Sequence, residues 1–161
     1  MDRRIGLWTA TTTAATGIAF VLIGLIGVFV RPPSPEPLRQ VDPCLAILEI
    51  LIILFAVALI TMIAAVYSYA ALDRKTFALA ALAFITSFAV LTCGVHFASL
   101  TVGRQIEPRV FPALSHQLSI GHWPTIAMSI DLLAWDLFLG LGLVFAAPIF
   151  RGKGADRSCP R

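Results

Sequence analysis

Residues 44–72 read CLAILEILIILFAVALITMIAAVYSYAAL, a run of 29 residues with one charged side chain, Glu49. A helix rises about 1.5 Å per residue, so about 20 apolar residues cross the hydrocarbon core of a bilayer. The run is long enough to span a membrane with tilt. Three further stretches share its character: 5–30, 76–102 and 123–150. The four contain only three of the chain's 21 Asp, Glu, Lys and Arg residues: Glu49, Asp131 and Asp136. Charged residues make up 13% of the 161, against about a quarter in a soluble domain. This excludes an ordinary soluble enzyme, a disordered tail and a nucleic-acid arm. The expected fold is all-α: a polytopic integral membrane protein, an antiparallel four-helix transmembrane bundle forming one domain over 1–161.

The segments between the spans set the orientation. With the amino terminus in the cytoplasm, the inner side carries eight Lys and Arg (Arg3, Arg4, Arg74, Lys75, Arg151, Lys153, Arg157, Arg161). The outer side carries four (Arg31, Arg39, Arg104, Arg109). The positive-inside rule then places both termini, and the tail 151–161, in the cytoplasm. The net charge of +3 is spread over these loops, which speaks for anionic lipid and against nucleic acid. The first run ends in Phe29-Val30-Arg31-Pro32-Pro33 with no small-residue cleavage site, so it is expected to stay attached as a span. Ten Arg against two Lys, with abundant Ala, suggest a GC-rich bacterial genome and an inner-membrane location.

Four prolines (Pro32, Pro33, Pro35, Pro37) predict a stiff, extended strap in the outer loop 31–43. Asp73-Arg74-Lys75 is a turn that forces the second and third spans antiparallel. In the second outer loop, 103–122, Phe111, Leu114 and Leu118 fall at helical spacing. They predict either a short amphipathic helix over 108–119 or an irregular lipid-touching loop. Small-residue stripes mark faces for close helix approach, within the chain or between chains. The first span offers Gly6, Ala10, Thr13, Gly17, Gly24 and Gly27. The second offers Ala58, Thr61, Ala65 and Ser68, the third Ala80, Ala83, Ser87, Val90 and Gly94, and the fourth Gly142 with Ala146. Such faces would serve a homo- or hetero-oligomer as well as the bundle itself.

Ionisable residues within a span are costly, about 2.5–3.5 kcal/mol or more for Asp near the centre. Measured by rise from each span's midpoint, Glu49 lies ~13 Å outward, His96 ~10 Å, Asp131 ~8 Å, and Asp136 at the midplane. His96 and Asp131 match in depth on consecutive spans, and a His96–Asp131 pair would satisfy both groups. Glu49, flanked by Leu45, Ala46, Ile52 and Ile53, reads alternatively as reaching headgroup water. Asp136 shares a face with Ser129, Leu132, Leu133 and Gly140, which suggests an interior carboxyl that either binds a ligand or bridges helices. It stands five residues from Asp131, on a different face.

Other chemistry finds little support. Cys44, Cys93 and Cys159 lie at different depths, and no Cys-x-x-Cys occurs. A zinc site from Cys93, His96, Glu49 and Asp131 needs three or four converging ligands. Haem would need a second histidine near the depth of His96, and His122 is ~12 Å further out. No nucleophile elbow, phosphate loop or His-Glu-x-x-His motif is present, so no catalytic, metal or cofactor residues are assigned. Trp8 and Trp123 take aromatic-belt positions at span ends. The leading expectation is a non-enzymatic membrane protein that binds a small ligand or ion, or relays protons, at Asp131, Asp136, His96 and Glu49. One alternative is a structural or accessory subunit of a membrane complex. The other is a membrane-embedded haem, metal or quinone redox protein.

Overall fold

The structure, a computed structural model, describes residues 3–30, 43–120 and 123–150. These residues are predominantly helical, with no strand among them. Helix α1 runs Arg3–Val30, α2 Pro43–Tyr69 and α3 Lys75–Ala98, the last extended by a π-helical stretch, Ser99–Gly103. A short α4 covers Pro112–Gln117. The last long element combines α5 (Ile126–Leu132), a π-helical stretch (Leu133–Leu139) and α6 (Gly140–Phe150). Four helices are thereby long and apolar enough to cross a membrane: Arg4–Gly27, Pro43–Tyr69, Leu72–Gly103 and Ile126–Phe150. Their composition points to a membrane location. The prolines of the first outer loop, His122 and the tail 151–161 lie outside the described residues.

Contacts between consecutive helices show how they run. Gly6 of α1 faces Ala65 near the end of α2, and Gly27 faces Cys44 near its start. Glu49, near the start of α2, meets Ser99 beyond the end of α3. The tight connection Leu72–Arg74 is a single 3-10 turn. From it Arg74 donates a hydrogen bond to the Pro148 carbonyl near the end of α6, a cation placed where helix carbonyls have lost their partners. Neighbouring helices are therefore antiparallel.

The four long helices pack in sequence order, each on its neighbour in the chain. α2 and α3 pack on each other in the middle, α1 packs on α2, and the fourth span packs on α3. No comparable contact joins α1 to α3 or to the fourth span among the described residues. Most of α1 is accordingly exposed, whereas a third or more of the spanning windows of α2 and α3 is buried. The core comprises Ala56, Leu59 and Ile63 of α2, Ala81, Ile85, Phe88 and Ala89 of α3, and Ala134 and Ala146 of the fourth span.

The small-residue stripes have mixed fates. Gly6, Thr13, Gly17 and Gly27 of α1 do form the face toward α2. Gly142 lies so close to α3 that a Cβ there would sit 2.6 Å from Ile85 Cδ1. The stripe expected on α3 is not its core face: Ala83 and Gly94 are exposed, and the inward positions are Ala78, Ala81, Ile85, Phe88, Ala89, Thr92 and His96. Alanine is frequent on all sides of α3, so spacing alone could not choose a face. Helix α4 is shorter than the 108–119 expected. Pro112 opens it, and the Gln117 side chain accepts from the Ile126 backbone N–H, tying it to the start of the fourth span.

Candidate functional site

One face of α3 carries Thr92, His96 and Ser99, spaced four and three residues apart, and all three are buried. From α2, Glu49 reaches this face and accepts a hydrogen bond from Ser99 Oγ at 2.5 Å. From α5, Asp131 brings Oδ1 to 3.5 Å from His96 Nε2. That distance places the two charges-to-be in contact without an aligned hydrogen bond, since neither atom has a hydrogen-bond partner. Three spans thus contribute to one polar cluster. Glu49 also lies within electrostatic reach of His96 and of Arg104, which follows the π-helical end of α3.

The cluster is buried yet incompletely satisfied. Glu49 is 6% exposed, His96 3% and Thr92 not at all. Five of its atoms lack a hydrogen-bond partner: Glu49 Oε2, Thr92 Oγ1, both ring nitrogens of His96, and Asp131 Oδ1. Buried polar atoms in native proteins are paired in the great majority of cases, because an unpaired one costs about 1–3 kcal/mol. Carboxylate oxygens accept, a neutral imidazole offers one donor and one acceptor, and a hydroxyl offers both. The cluster can therefore hold protons, or a small polar group that presents donors to the two carboxyls.

An aromatic layer lies between the cluster and the middle of the long helices. Trp135, one turn beyond Asp131, meets Phe88 edge-on at 5.1 Å and stacks on Phe55 at 6.2 Å. Phe88 is itself one turn before Thr92 and fully buried. Beside the cluster, a cavity of about 300 Å³ between α3 and the α4–α5 region is lined by apolar side chains such as Leu91, Val95 and Ile130. It offers the polar atoms no partner.

The four residues singled out from the sequence thus divide. His96 and Asp131 do come together, as their matching depth predicts. Glu49 joins them instead of reaching headgroup water. Asp136 does not: it is exposed on the outer side of the fourth span, contrary to the interior position inferred for it. The π-helical stretch from Leu133 to Leu139 changes the angular step per residue, so a face drawn for a straight α-helix does not carry through it. Cys93 packs with the hydrophobic core and not with the cluster. Among the described residues, no three His, Cys, Asp or Glu side chains are placed to share a metal ion.

Ser99 and Arg104 were missed by sequence reasoning. Ser99 carried a usable signal, being three residues beyond His96 and at nearly the depth of Glu49. Its hydroxyl is also the first residue of a π-helical stretch, a feature that often accompanies functional sites. No family model, curated protein or solved structure matches the chain.

Proposed function

We propose that the chain is a non-enzymatic multi-pass protein of the bacterial inner membrane that binds protons, or a small polar ligand in exchange for them, at Glu49, Ser99, His96 and Asp131. The observation that carries this reading is the set of five buried, unpartnered polar atoms contributed by three different spans. A cluster serving only to hold helices together gains most when every member is paired, and a half-paired one costs stability. Groups that exchange protons or accept a ligand keep such capacity in reserve. With both termini cytoplasmic, the cluster lies in the outer half of the membrane, and the Phe55–Trp135–Phe88 layer separates it from the midplane. Access from one side suits a binding or sensing role better than conduction across the bilayer.

The test is direct observation of His96. In protein with labelled histidine, and with His116 and His122 replaced by Gln, a small cation with N–H donors such as ammonium is expected to displace the His96 ring resonances and to release protons into weakly buffered medium. The displacement should be lost in the Asp131→Asn, Glu49→Gln double variant. His96 resonances that no such ligand moves, or that move equally in the double variant, overturn the reading. A second reading, a subunit within a larger membrane assembly, is favoured by one residue outside the cluster: the exposed Asp136.

A further inference from the structure

The fourth span turns a carboxyl outward at the worst place for it. Asp136 stands ~3 Å by rise from the centre of Ile126–Phe150. It is exposed, and Leu133, Leu137, Leu143 and Val144 on the same side are also about half exposed or more, as lipid-facing residues are. Among the described residues, nothing hydrogen-bonds or ion-pairs with Asp136. A carboxyl in hydrocarbon without a partner is costly, and intramembrane acids almost always face protein or water. The surface around it is shaped for close approach. Ser129 and Ala147 are exposed, and a Cβ built on Gly140, one turn beyond Asp136, meets nothing within 4 Å. Small residues at such a face let a second helix come near.

We propose that this face of the fourth span is a homodimer interface in which Asp136 of one copy hydrogen-bonds Asp136 of a second. The inference does not rest on the role assigned to the Glu49–His96–Asp131 cluster. Symmetry supplies the first argument for the occupant. Two copies inserted with the same orientation are related by a two-fold axis along the membrane normal, and such a contact is isologous. Each residue near the axis meets its own counterpart at the same depth, so a mid-membrane carboxyl meets a mid-membrane carboxyl.

Hydrogen-bond complementarity supplies the second. A carboxyl carrying its proton presents one donor and one acceptor, and another carboxyl accepts and returns both. The exposed hydroxyls elsewhere on the chain are poorer partners. Thr12, Thr61 and Thr86 already donate to carbonyls of their own helices, leaving only acceptor capacity. The Lys and Arg residues within the spans (Arg4, Arg74 and Lys75) stand at their ends, far in depth from Asp136.

The experiment uses the full chain with Cys44, Cys93 and Cys159 replaced by Ser. Leu137→Cys places a thiol on the proposed face, and Leu54→Cys places one on the exposed side of α2 as a control. Mild oxidation in membrane vesicles should give a disulfide-linked dimer from Leu137→Cys and not from Leu54→Cys. In detergent, sedimentation equilibrium should show a dimer whose dissociation constant rises about threefold to about twentyfold in Asp136→Leu, from the average to the largest of measured intramembrane hydrogen-bond couplings. Asp136→Asn, whose amide also offers donor and acceptor, should keep the dimer. If Asp136→Leu fails to express, the cross-linking pattern decides alone. A chain that stays monomeric at all concentrations, cross-links through Leu54→Cys instead, or forms an Asp136-dependent adduct only with a different protein overturns the proposal.

Discussion

Removing the Ser99 hydroxyl probes the cluster at its one well-formed hydrogen bond. In the native protein Glu49 Oε1 accepts from Ser99, while Oε2 has no partner. Ser99→Ala leaves both oxygens of a 6% exposed side chain unpaired. The expected loss is about 1–3 kcal/mol, the cost of stranding a buried acceptor. Glu49→Met, close in shape, strands only the serine hydroxyl, which can turn to the carbonyl one turn back as Ser87 does with Ala83. Glu49→Met with Ser99→Ala removes both partners and should therefore cost less than the sum of the single changes. The coupling should lie between about 0.6 and about 1.7 kcal/mol, as for other hydrogen-bonded pairs within membranes. Reversible unfolding in mixed micelles, followed by helical circular dichroism, measures all four corners of the cycle. An additive cycle, or a Ser99→Ala protein as stable as the parent, would refute the reasoning.

Two further outcomes test orientation and packing. In a single-cysteine background, Ala113→Cys in α4 should react with an impermeant maleimide in intact cells. Asp73→Cys in the α2–α3 turn should react only after the membrane is opened, and the reverse pattern would invert the assigned sides. Gly142→Ala should destabilise despite its better helix propensity, because the added methyl would meet the fully buried Ile85 side chain at 2.6 and 2.8 Å. Overpacking of about 1–3 kcal/mol exceeds a propensity gain of about 0.8–1 kcal/mol. The Gly142→Ala cost should fall when Ile85→Val removes the nearer methyl, and unfolding midpoints that rise on Gly142→Ala alone would count against the packing described.

Depth was legible in the sequence where direction was not. The rise per residue fixes how far His96 and Asp131 lie from their span midpoints whatever way each helix is rotated, so their pairing followed from counting. Rotation is harder to read in a membrane, because the apolar side chains that face lipid and those that face protein look alike. Glu49 illustrates this. Its apolar helical neighbours Leu45, Ile52 and Ile53 suggested a carboxyl that reaches headgroup water, yet Ile52 is itself core and the carboxyl points to α3. Asp136 was misplaced for a second reason, the π-helical stretch, which hydrophobic spacing does not announce. Ser99 needed depth matching to be extended from charged residues to hydroxyls. The open flank of α1 was invisible for want of any sequence signal for which helices do not touch.

The row of helices has a bearing on how the chain is made. Each spanning helix finds its main packing surface on the one synthesised just before it: α2 on α1, α3 on α2, the fourth span on α3. Among the described residues no interface of comparable extent has to wait for a distant part of the chain, so assembly can proceed from the amino end. A nascent chain released as far as Gly103 already holds both partners of the Glu49–Ser99 hydrogen bond. His96 would then lie beside an unfilled position until Asp131 arrives with the last helix. The polar cluster is thus completed at the close of synthesis, and only a chain carried through to its fourth span presents it whole.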